Sequence, residues 1–249
     1  MRTLVVLPTY NEAENIEAML TRIRAAVPDA DVLVVDDGSP DGTAARAEAV
    51  ATELGQISVL SRAGKSGLGS AYRAGFRYGL ERDYGAFVEM DCDFSHDPDA
   101  LPLLIAPVES GAALVIGSRY VSGGRIPDWS ALRRAISWTG NTYARFMLRL
   151  PVRDATAGFR VYARDVLEAI DLDAVAADGY GFQVEMAYLV DQLGGRIVEV
   201  PITFRDRRLG TSKMSGRIVA EALILVTWWG IRARTRHLGR TISRSVRRS

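Results

Sequence analysis

The sequence is poor in the residues that most often carry metal or thiol chemistry. It has one cysteine, Cys92, and two histidines, His96 and His237, in 249 residues. A lone thiol excludes an intrachain disulfide and suits a reducing compartment. No HExxH, CxxC or nucleophile elbow is present, so zinc hydrolysis and serine acyl transfer lack support. Long apolar runs are missing too. Leu4 to Leu7 is too short for the apolar stretch of a secretory signal, and Pro8 interrupts it. Ile218 to Ile231 is apolar apart from Glu221 and a few small polar residues. It falls short of the about 20 residues a spanning helix needs. A complete glycine-rich phosphate loop is also absent. "GKSGLGSAYRAG", residues 64–75, has Val59 upstream where a Walker loop needs glycine. Tyr72 stands where a dinucleotide fingerprint needs another. The stretch reads as a turn opening a helix, able to border a nucleotide but not to cradle one. Finally, acid is absent from Arg232 to Ser249, which holds seven arginines and one histidine. Without those seven, 24 basic residues face 30 acids, so the tail is an electrostatic object separate from an acidic body.

What remains is an ordinary globular balance, 48% hydrophobic and 24% charged. Strand and helix patterns alternate: strands at Thr3–Pro8, Asp31–Asp37, Gln56–Ser61, Ala86–Asp91 and Ala113–Ser118, with helices between them. Continuous Val, Leu and Ile runs separated by helices predict an α/β fold, a mostly parallel sheet covered on both faces. Further on, "GFRVYA" reads as a strand, Gly181–Leu193 as a helix and Arg196–Phe204 as a last strand. The polar motifs "PTYNE", "DDGSPDGT", "DCDFSH" and "GSRY" fall at the carboxyl ends of predicted strands, the edge where open α/β sheets bind ligands.

"VEMDCDFSHDPD", residues 88–99, carries the strongest chemical signal. Read as a strand, it points Asp91 and Asp93 to one side, where two carboxylates repel and call for a positive partner. At a cleft, such a pair is an incomplete set of hard oxygen ligands that leaves positions for phosphate oxygens. His96 ligates or orients, and a single histidine in a turn is more often structural. In "VLVVDDGSPDGT", Asp41 or Thr43 is available to cap a helix, while Asp37 is placed to accept from a base or ribose. Arg119, Arg207 and Lys213 lie beyond strand ends, where a set of cations reads as phosphate clamps. Arg133 and Ser137 are one turn apart on the predicted helix 131–150 and suit a second phosphate.

That helix carries Leu132, Ile136, Tyr143, Phe146 and Met147 near one side, with Arg133, Arg134, Arg145 and Arg149 among them. It either packs on the core or lies on a membrane surface. Ile218–Ile231 with the arginine tail has two readings as well. One is a C-terminal helix with a basic end; the other is an interfacial helix with Trp228 and Trp229 at headgroup level and arginines on anionic lipid. No nucleic-acid-binding motif accompanies the tail.

Taken together, "LPTYNE", "VDDGSPDGT", "MDCDFSHDP", "IGSRY", "DATAGFR", "GYGFQVEM" and "FRDRRLGTSK" resemble the polyprenol (dolichol) phosphate mannose synthases. These are inverting glycosyltransferases of family 2 with the GT-A fold. The resemblance spans residues 3 to about 216 and divides the chain into a catalytic domain, 1–216, and a C-terminal amphipathic helix with basic tail, 217–249. It implies GDP-mannose as donor, a polyprenyl monophosphate as acceptor and Mg²⁺ or Mn²⁺ as cofactor, on the cytoplasmic face of a membrane. By the same resemblance, Pro8, Tyr10, Glu12, Val35 and Asp37 line the guanosine pocket. Asp91, Asp93 and Ser95 occupy the metal positions, the last where some members have glutamine, and the Cys92 backbone meets the donor. Arg119, Arg207 and Lys213 engage the diphosphate or acceptor phosphate, and Arg133 with Ser137 holds the acceptor phosphate. Members without spanning helices dock on an integral membrane partner, and this chain resembles them.

A phosphate nucleophile needs no strong general base, so none of Glu12, Asp154 and Glu185 is assigned that role. Two rivals remain: a polyprenyl-phosphate glucosyltransferase using UDP-glucose, and a non-catalytic nucleotide-sugar-binding partner of a membrane enzyme.

Overall fold

The computed structural model describes residues 1–175, 177–206 and 223–232. Within these lie seven strands: β1 Thr3–Thr9, β2 Asp31–Asp36, β3 Ile57–Ser61, β4 Ala86–Glu89, β5 Leu114–Ser118, β6 Arg160–Ala163 and β7 Ile197–Pro201. They form one sheet in the order β3-β2-β1-β4-β6-β5-β7. Only β6 runs against its neighbours, pairing antiparallel with both β4 and β5. The sheet is therefore mixed and mostly parallel, as the apolar runs predicted. Its helices are α1 Ile16–Ala26, α2 Thr43–Leu54, α3 Leu68–Leu80, α4 Leu101–Glu109, α5 Ala131–Leu148, α6 Arg164–Ala169 and α7 Gly179–Gln192. Residues 223–232 are also helical.

Alternation along the strands divides the core into two layers. Leu4, Val6, Leu33, Phe87 and Ile116 face α3 and α7, where Tyr72, Phe76, Phe182 and Met186 cover them. Val5, Leu7, Val34, Val88 and Val115 face α1, α2 and α4 through Met19, Leu20, Ala47 and Leu104. Close approach on the first face depends on Gly75, because a β-carbon there would lie 2.3 Å from Val6 Cγ1.

Several boundaries depart from expectation. The strand predicted to reach Asp91 ends at Glu89. Helix α5 stops at Leu148, where Arg149 takes φ 57° and closes it. Helix α6 is too short to show a periodicity in the sequence. The loop 207–216, with Arg207 and Lys213, and the tail 233–249 lie outside the described residues.

Of the two readings of α5, the structure favours an exposed apolar face. Leu132 and Phe146 are each 71% exposed, and Ile136 and Trp138 are exposed beside them. The opposite side, Asn141, Ala144 and Leu148, packs on the domain. Residues 223–232 lie along the same helix: the Tyr143 and Thr227 hydroxyls are 2.6 Å apart, and Gly230 sits against the Met147 backbone. Leu223, Ile224, Trp228 and Ile231 extend the exposed apolar surface. No described helix is long and apolar enough to cross a membrane.

Candidate active site

A cleft of about 820 Å³ opens at the carboxyl edge of the sheet, within the size range of small-molecule sites. Loops after β1, β2, β4 and β5 line it with Pro8, Tyr10, Glu12, Asp37, Asp91, Cys92, Asp93, Ser95 and Arg119. Helix α7 and its approach add Asp178, Tyr180 and Gln183.

The first wall is built by turn chemistry. Asp36, the first acid of the "DDGS" pair, is consumed structurally: its carboxylate accepts from the Thr9 hydroxyl at 2.9 Å and from the Ser39 N–H and hydroxyl at 2.9 and 2.6 Å. Asp37 is left facing the cleft, in an ion pair with Arg62 at 3.0 Å and accepting from the Ser66 N–H. Asp41 accepts from Thr43 and from the Ala13 N–H. Burial raises its pKa, but the Thr43 and backbone hydrogen bonds outweigh that and hold it below the usual carboxylate range. The Thr43 hydroxyl in turn accepts from the Glu12 N–H, which ties the first two loops together. Lys65 lies over the Tyr10 ring at 4.8 Å, a cation–π contact at the cleft mouth. Gly67 makes room for Asp178: a β-carbon there would fall 1.8 Å from its Oδ2, and Gly67 has φ 91°. The Asp178 carboxylate accepts from the Gly69 N–H at 2.8 Å, joining the start of α3 to the start of α7.

Val35 stands apart from the other residues expected around the nucleoside. Val35 is fully buried in the layer under α3 and is not among the cleft-lining residues. Val35 lies inside β2, which ends at Asp36, so its side chain is covered by the core layer while Asp37 lies beyond the strand end.

The acidic wall also differs in origin from the sequence reading. Since β4 ends at Glu89, Asp91 and Asp93 share the cleft through a tight loop and not through strand alternation. Phe94 takes φ 62° there. The Ser95 N–H donates to Asp93 Oδ1 at 3.0 Å, and the Asp91 N–H donates to His96 Nδ1 at 3.1 Å. His96 stacks on Phe159 with ring centroids 5.0 Å apart, so it orients the loop as a structural histidine would. The Tyr72 hydroxyl donates to Asp91 Oδ1 at 3.3 Å. Burial and the Asp91 and Glu89 charges push its pKa well above the ordinary value, so it stays a donor. Burial likewise pushes the Cys92 thiol up, leaving it protonated at neutral pH.

Among the described residues, no three His, Cys, Asp or Glu side chains gather closely enough to cage an ion. Asp91, Asp93 and the Ser95 hydroxyl are instead hard oxygen donors on an open wall. That chemistry fits Mg²⁺ or Mn²⁺ sharing ligands with phosphate and water, and does not fit zinc.

The basic residues are held by partners. Arg119 forms a buried fork with Asp154, Nη2 to Oδ1 at 2.7 Å and Nε to Oδ2 at 2.8 Å, and its Nη2 also donates to the Thr156 hydroxyl. Arg133 pairs with Asp206 at 2.7 Å and lies over the Trp129 ring, while Trp129 Nε1 donates to the same carboxylate. Among the described residues, six carboxylates (Glu12, Asp37, Asp91, Asp93, Asp178 and Asp206) line the cleft against three basic side chains, Lys65, Arg119 and Arg133. Of the three acids set aside as bases, Glu12 is in the cleft, Asp154 is bound to Arg119, and Glu185 accepts from the Ala177 N–H.

Beside the cleft lies a smaller apolar groove of about 90 Å³, lined by Ile136, Tyr143, Ala144, Val184, Leu223 and Val226, with Ser137. Arg119, Trp129, Arg133, Thr156 and Tyr180 line both cavities. Sequence reasoning did not assign Lys65, Asp178, Tyr180 or Gln183 to the site; they reach the cleft through contacts between segments far apart in the chain, Lys65 over Tyr10 and Asp178 on Gly69.

A mixed, mostly parallel sheet with a DxD loop at its carboxyl edge, in a nucleotide-sized cleft, defines a glycosyltransferase of GT-A type. The chain belongs to the family described as Glycosyl transferase family 2, whose pattern matches residues 4–171. It is 56% identical over 234 residues, 94% of this chain and 96% of the relative, to an undecaprenyl-phosphate mannosyltransferase of Micrococcus luteus. It is 50% identical to a polyprenol monophosphomannose synthase of Mycolicibacterium smegmatis, over 94% of this chain and 88% of that one. Among solved structures, glucosyl-3-phosphoglycerate synthase from Mycobacterium tuberculosis, in complex with Mn²⁺, UDP-glucose and glycerol 3-phosphate, superposes with a TM-score of 0.67. That match covers 90% of this chain and 78% of that one at 22% identity, a likeness of fold.

Proposed function

We propose that the chain transfers mannose from GDP-mannose to a polyprenyl monophosphate with inversion, releasing GDP and a polyprenyl β-mannosyl phosphate. The observation that carries this reading is the shared wall. A polar nucleotide-sized cleft and an apolar groove meet at Arg119 and Arg133. A lipid phosphate needs that combination, with its chain in an apolar channel and its headgroup among cations beside the donor. The names of the two bacterial relatives support mannose and a polyprenyl phosphate; the resemblance supplies GDP.

Asp91 and Asp93, with Ser95 beside them, would hold Mg²⁺ or Mn²⁺, which when bound would supply positive charge against the leaving diphosphate. The remaining work belongs to the protein. The acidic excess in the cleft repels a diphosphate, so cations are required for binding; Lys65, Arg119 and, from the loop beyond the described residues, Arg207 and Lys213 supply them. Asp154 fixes the orientation of Arg119 at the shared wall. Arg133 and Ser137 hold the acceptor phosphate at the mouth of the groove. A phosphate monoester has a second pKa of about 6, so the acceptor is already largely dianionic and attacks without a general base. Pro8, Tyr10, Glu12 and Asp37 border the nucleoside, with the Cys92 backbone beneath.

The acceptor lives in a bilayer, and the apolar face of α5 and residues 223–232 reaches it. Arg134, Arg145 and the arginine tail add attraction to anionic lipid. The protein thus acts peripherally, on the cytoplasmic face, and an integral membrane partner assists its docking.

The test is incubation of labelled GDP-mannose with a polyprenyl phosphate and Mg²⁺ or Mn²⁺, followed by solvent extraction. A labelled lipid is expected with the ion, and its loss in EDTA and in Asp91→Ala. Label from UDP-glucose but not from GDP-mannose refutes the donor. Tight GDP-mannose binding with no transfer refutes the catalyst.

A further inference from the structure

We propose, resting on the reading above, that the Trp129 indole binds the acceptor phosphate and that Asp206 fills the same anion seat until that phosphate arrives. Trp129 lines both the cleft and the groove, at the wall where donor and lipid meet. The arginines of that wall gather around its ring: the Arg133 guanidinium stands 4.1 Å from the centroid and that of Arg119 5.4 Å. An electron-rich face lets two like charges sit near one another. The indole N–H serves the same place. Trp129 Nε1 and Arg133 Nη1 both donate to one oxygen, Asp206 Oδ1, at 2.9 and 2.7 Å. Two donors converging on one anionic oxygen make an anion seat, here occupied by the chain's own carboxylate. The indole is buried, but its N–H opens onto the side that Asp206 occupies, so whatever replaces that carboxylate reaches it.

This occupant is exchangeable. The Arg133 and Asp206 side chains are 30% and 41% exposed, so water reaches the pair and its net strength is small. The Arg119–Asp154 fork is the opposite case, closed to solvent. Nor does the backbone have to move. The Phe204 N–H donates to the Arg125 carbonyl, that of Arg205 to the Ser95 carbonyl and that of Asp206 to Asp128 Oδ2, at 2.9 to 3.3 Å. Rotation of the Asp206 side chain alone therefore opens the seat. A phosphate monoester is the stronger occupant, because it carries nearly two charges and three free oxygens where a carboxylate has one charge and two oxygens. One oxygen takes Trp129 and Arg133 while another faces Ser137, which lines the groove beside Arg133. The ester oxygen then leads toward the apolar lining of Ile136, Tyr143 and Val226. A free phosphate must displace Asp206 with its headgroup alone, whereas a prenyl phosphate adds burial of its chain. Asp206 thus discriminates in favour of the lipid.

Calorimetry on the full chain tests this with three probes, farnesyl phosphate, inorganic phosphate and, in Mn²⁺, GDP. Trp129→Phe keeps a ring and loses the N–H. Its affinity for farnesyl phosphate is expected to fall roughly tenfold, as one hydrogen bond to a charged group implies, with GDP affinity unchanged. Asp206→Ala is expected to bind both phosphates roughly fivefold more tightly, the gain from removing a solvent-reached competitor. If Trp129→Phe does not fold, Asp206→Ala decides alone. Phosphate binding that is unchanged or weaker in Asp206→Ala makes the ion pair structural and overturns the inference. Equal losses of farnesyl phosphate and GDP in Trp129→Phe overturn it too, as does no loss of either. These arms need no turnover, so a wrong donor assignment leaves them readable. Equal affinity of the wild type for inorganic and farnesyl phosphate, with both variant effects intact, supports the seat and refutes the lipid groove of the reading above. A wild type that binds neither phosphate overturns both.

Discussion

Replacing Asp154 by asparagine removes one charge and keeps the shape, and the surroundings make that change severe. The Asp154 side chain is 0% exposed and that of Arg119 4%. The carboxylate accepts three bonds from Arg119 alone, from its backbone N–H, Nε and Nη2, at 2.7 to 2.8 Å. Burial pulls the Arg119 pKa down, and Asp154 more than restores it. Without the carboxylate, a guanidinium is left buried and uncompensated, a loss of about 3–5 kcal/mol. For a chain of this size that corresponds to a fall in thermal midpoint of roughly 6–20 °C. Differential scanning calorimetry of Asp154→Asn measures it. The paired replacement Arg119→Met with Asp154→Leu removes both charges and is expected to recover at least half of the loss, since a buried ion pair and an apolar pair of similar volume are often nearly equivalent. Transferase activity is expected to stay low in the double variant, because Arg119 lines both cavities. A midpoint shift in Asp154→Asn of under 2 °C, or a double variant no more stable than the single, refutes the argument that the pair is held by mutual neutralisation.

Glu89 is fully buried, and burial raises its pKa from 4.5 to about 7 against the opposing pull of Arg160. The folded state therefore binds a proton that the unfolded state releases. Stability from this group is complete below pH 4.5 and is lost as pH rises through about 7, by at most about 3 kcal/mol. Denaturant midpoints measured in EDTA should show that decline, and Glu89→Gln should flatten it. Phe146→Ser exposes no cavity, since the ring is already outside, but should weaken sedimentation with vesicles containing anionic lipid. Deleting residues 232–249 should do the same more strongly at low salt than at high salt; unchanged sedimentation would refute the tail's part in docking.

The comparison of sequence with structure turns on how far apart cooperating residues lie. Asp36 and Ser39 are three positions apart, so a turn was legible locally, although not which of the two successive acids it consumes. His96 and Asp91 are five apart, and the structural reading of that histidine agrees with its place in the loop. By contrast, Asp154 reaches Arg119 across 35 positions, and no local pattern indicates that this arginine arrives at the cleft already paired. Asp178 and Gly69 are separated by 109 positions, which is why the "GKSGLG" stretch read only as a turn. Val35 lies only two positions before Asp37, but it is inside β2 and covered by the core, whereas Asp37 follows the strand end, a difference set by where the strand stops.

The sequence by itself determined the sheet, its two apolar layers and the collection of polar loops on one edge, because period and strand-end chemistry are local properties. It also placed two closely spaced carboxylates, Asp91 and Asp93, at that edge. Only the tertiary structure decided that the nucleotide-sized cleft and the apolar groove share a wall, and that α5 turns an apolar face outward. Those facts follow from how helices pack across the sheet, where charge, volume and burial are settled between residues far apart in the chain.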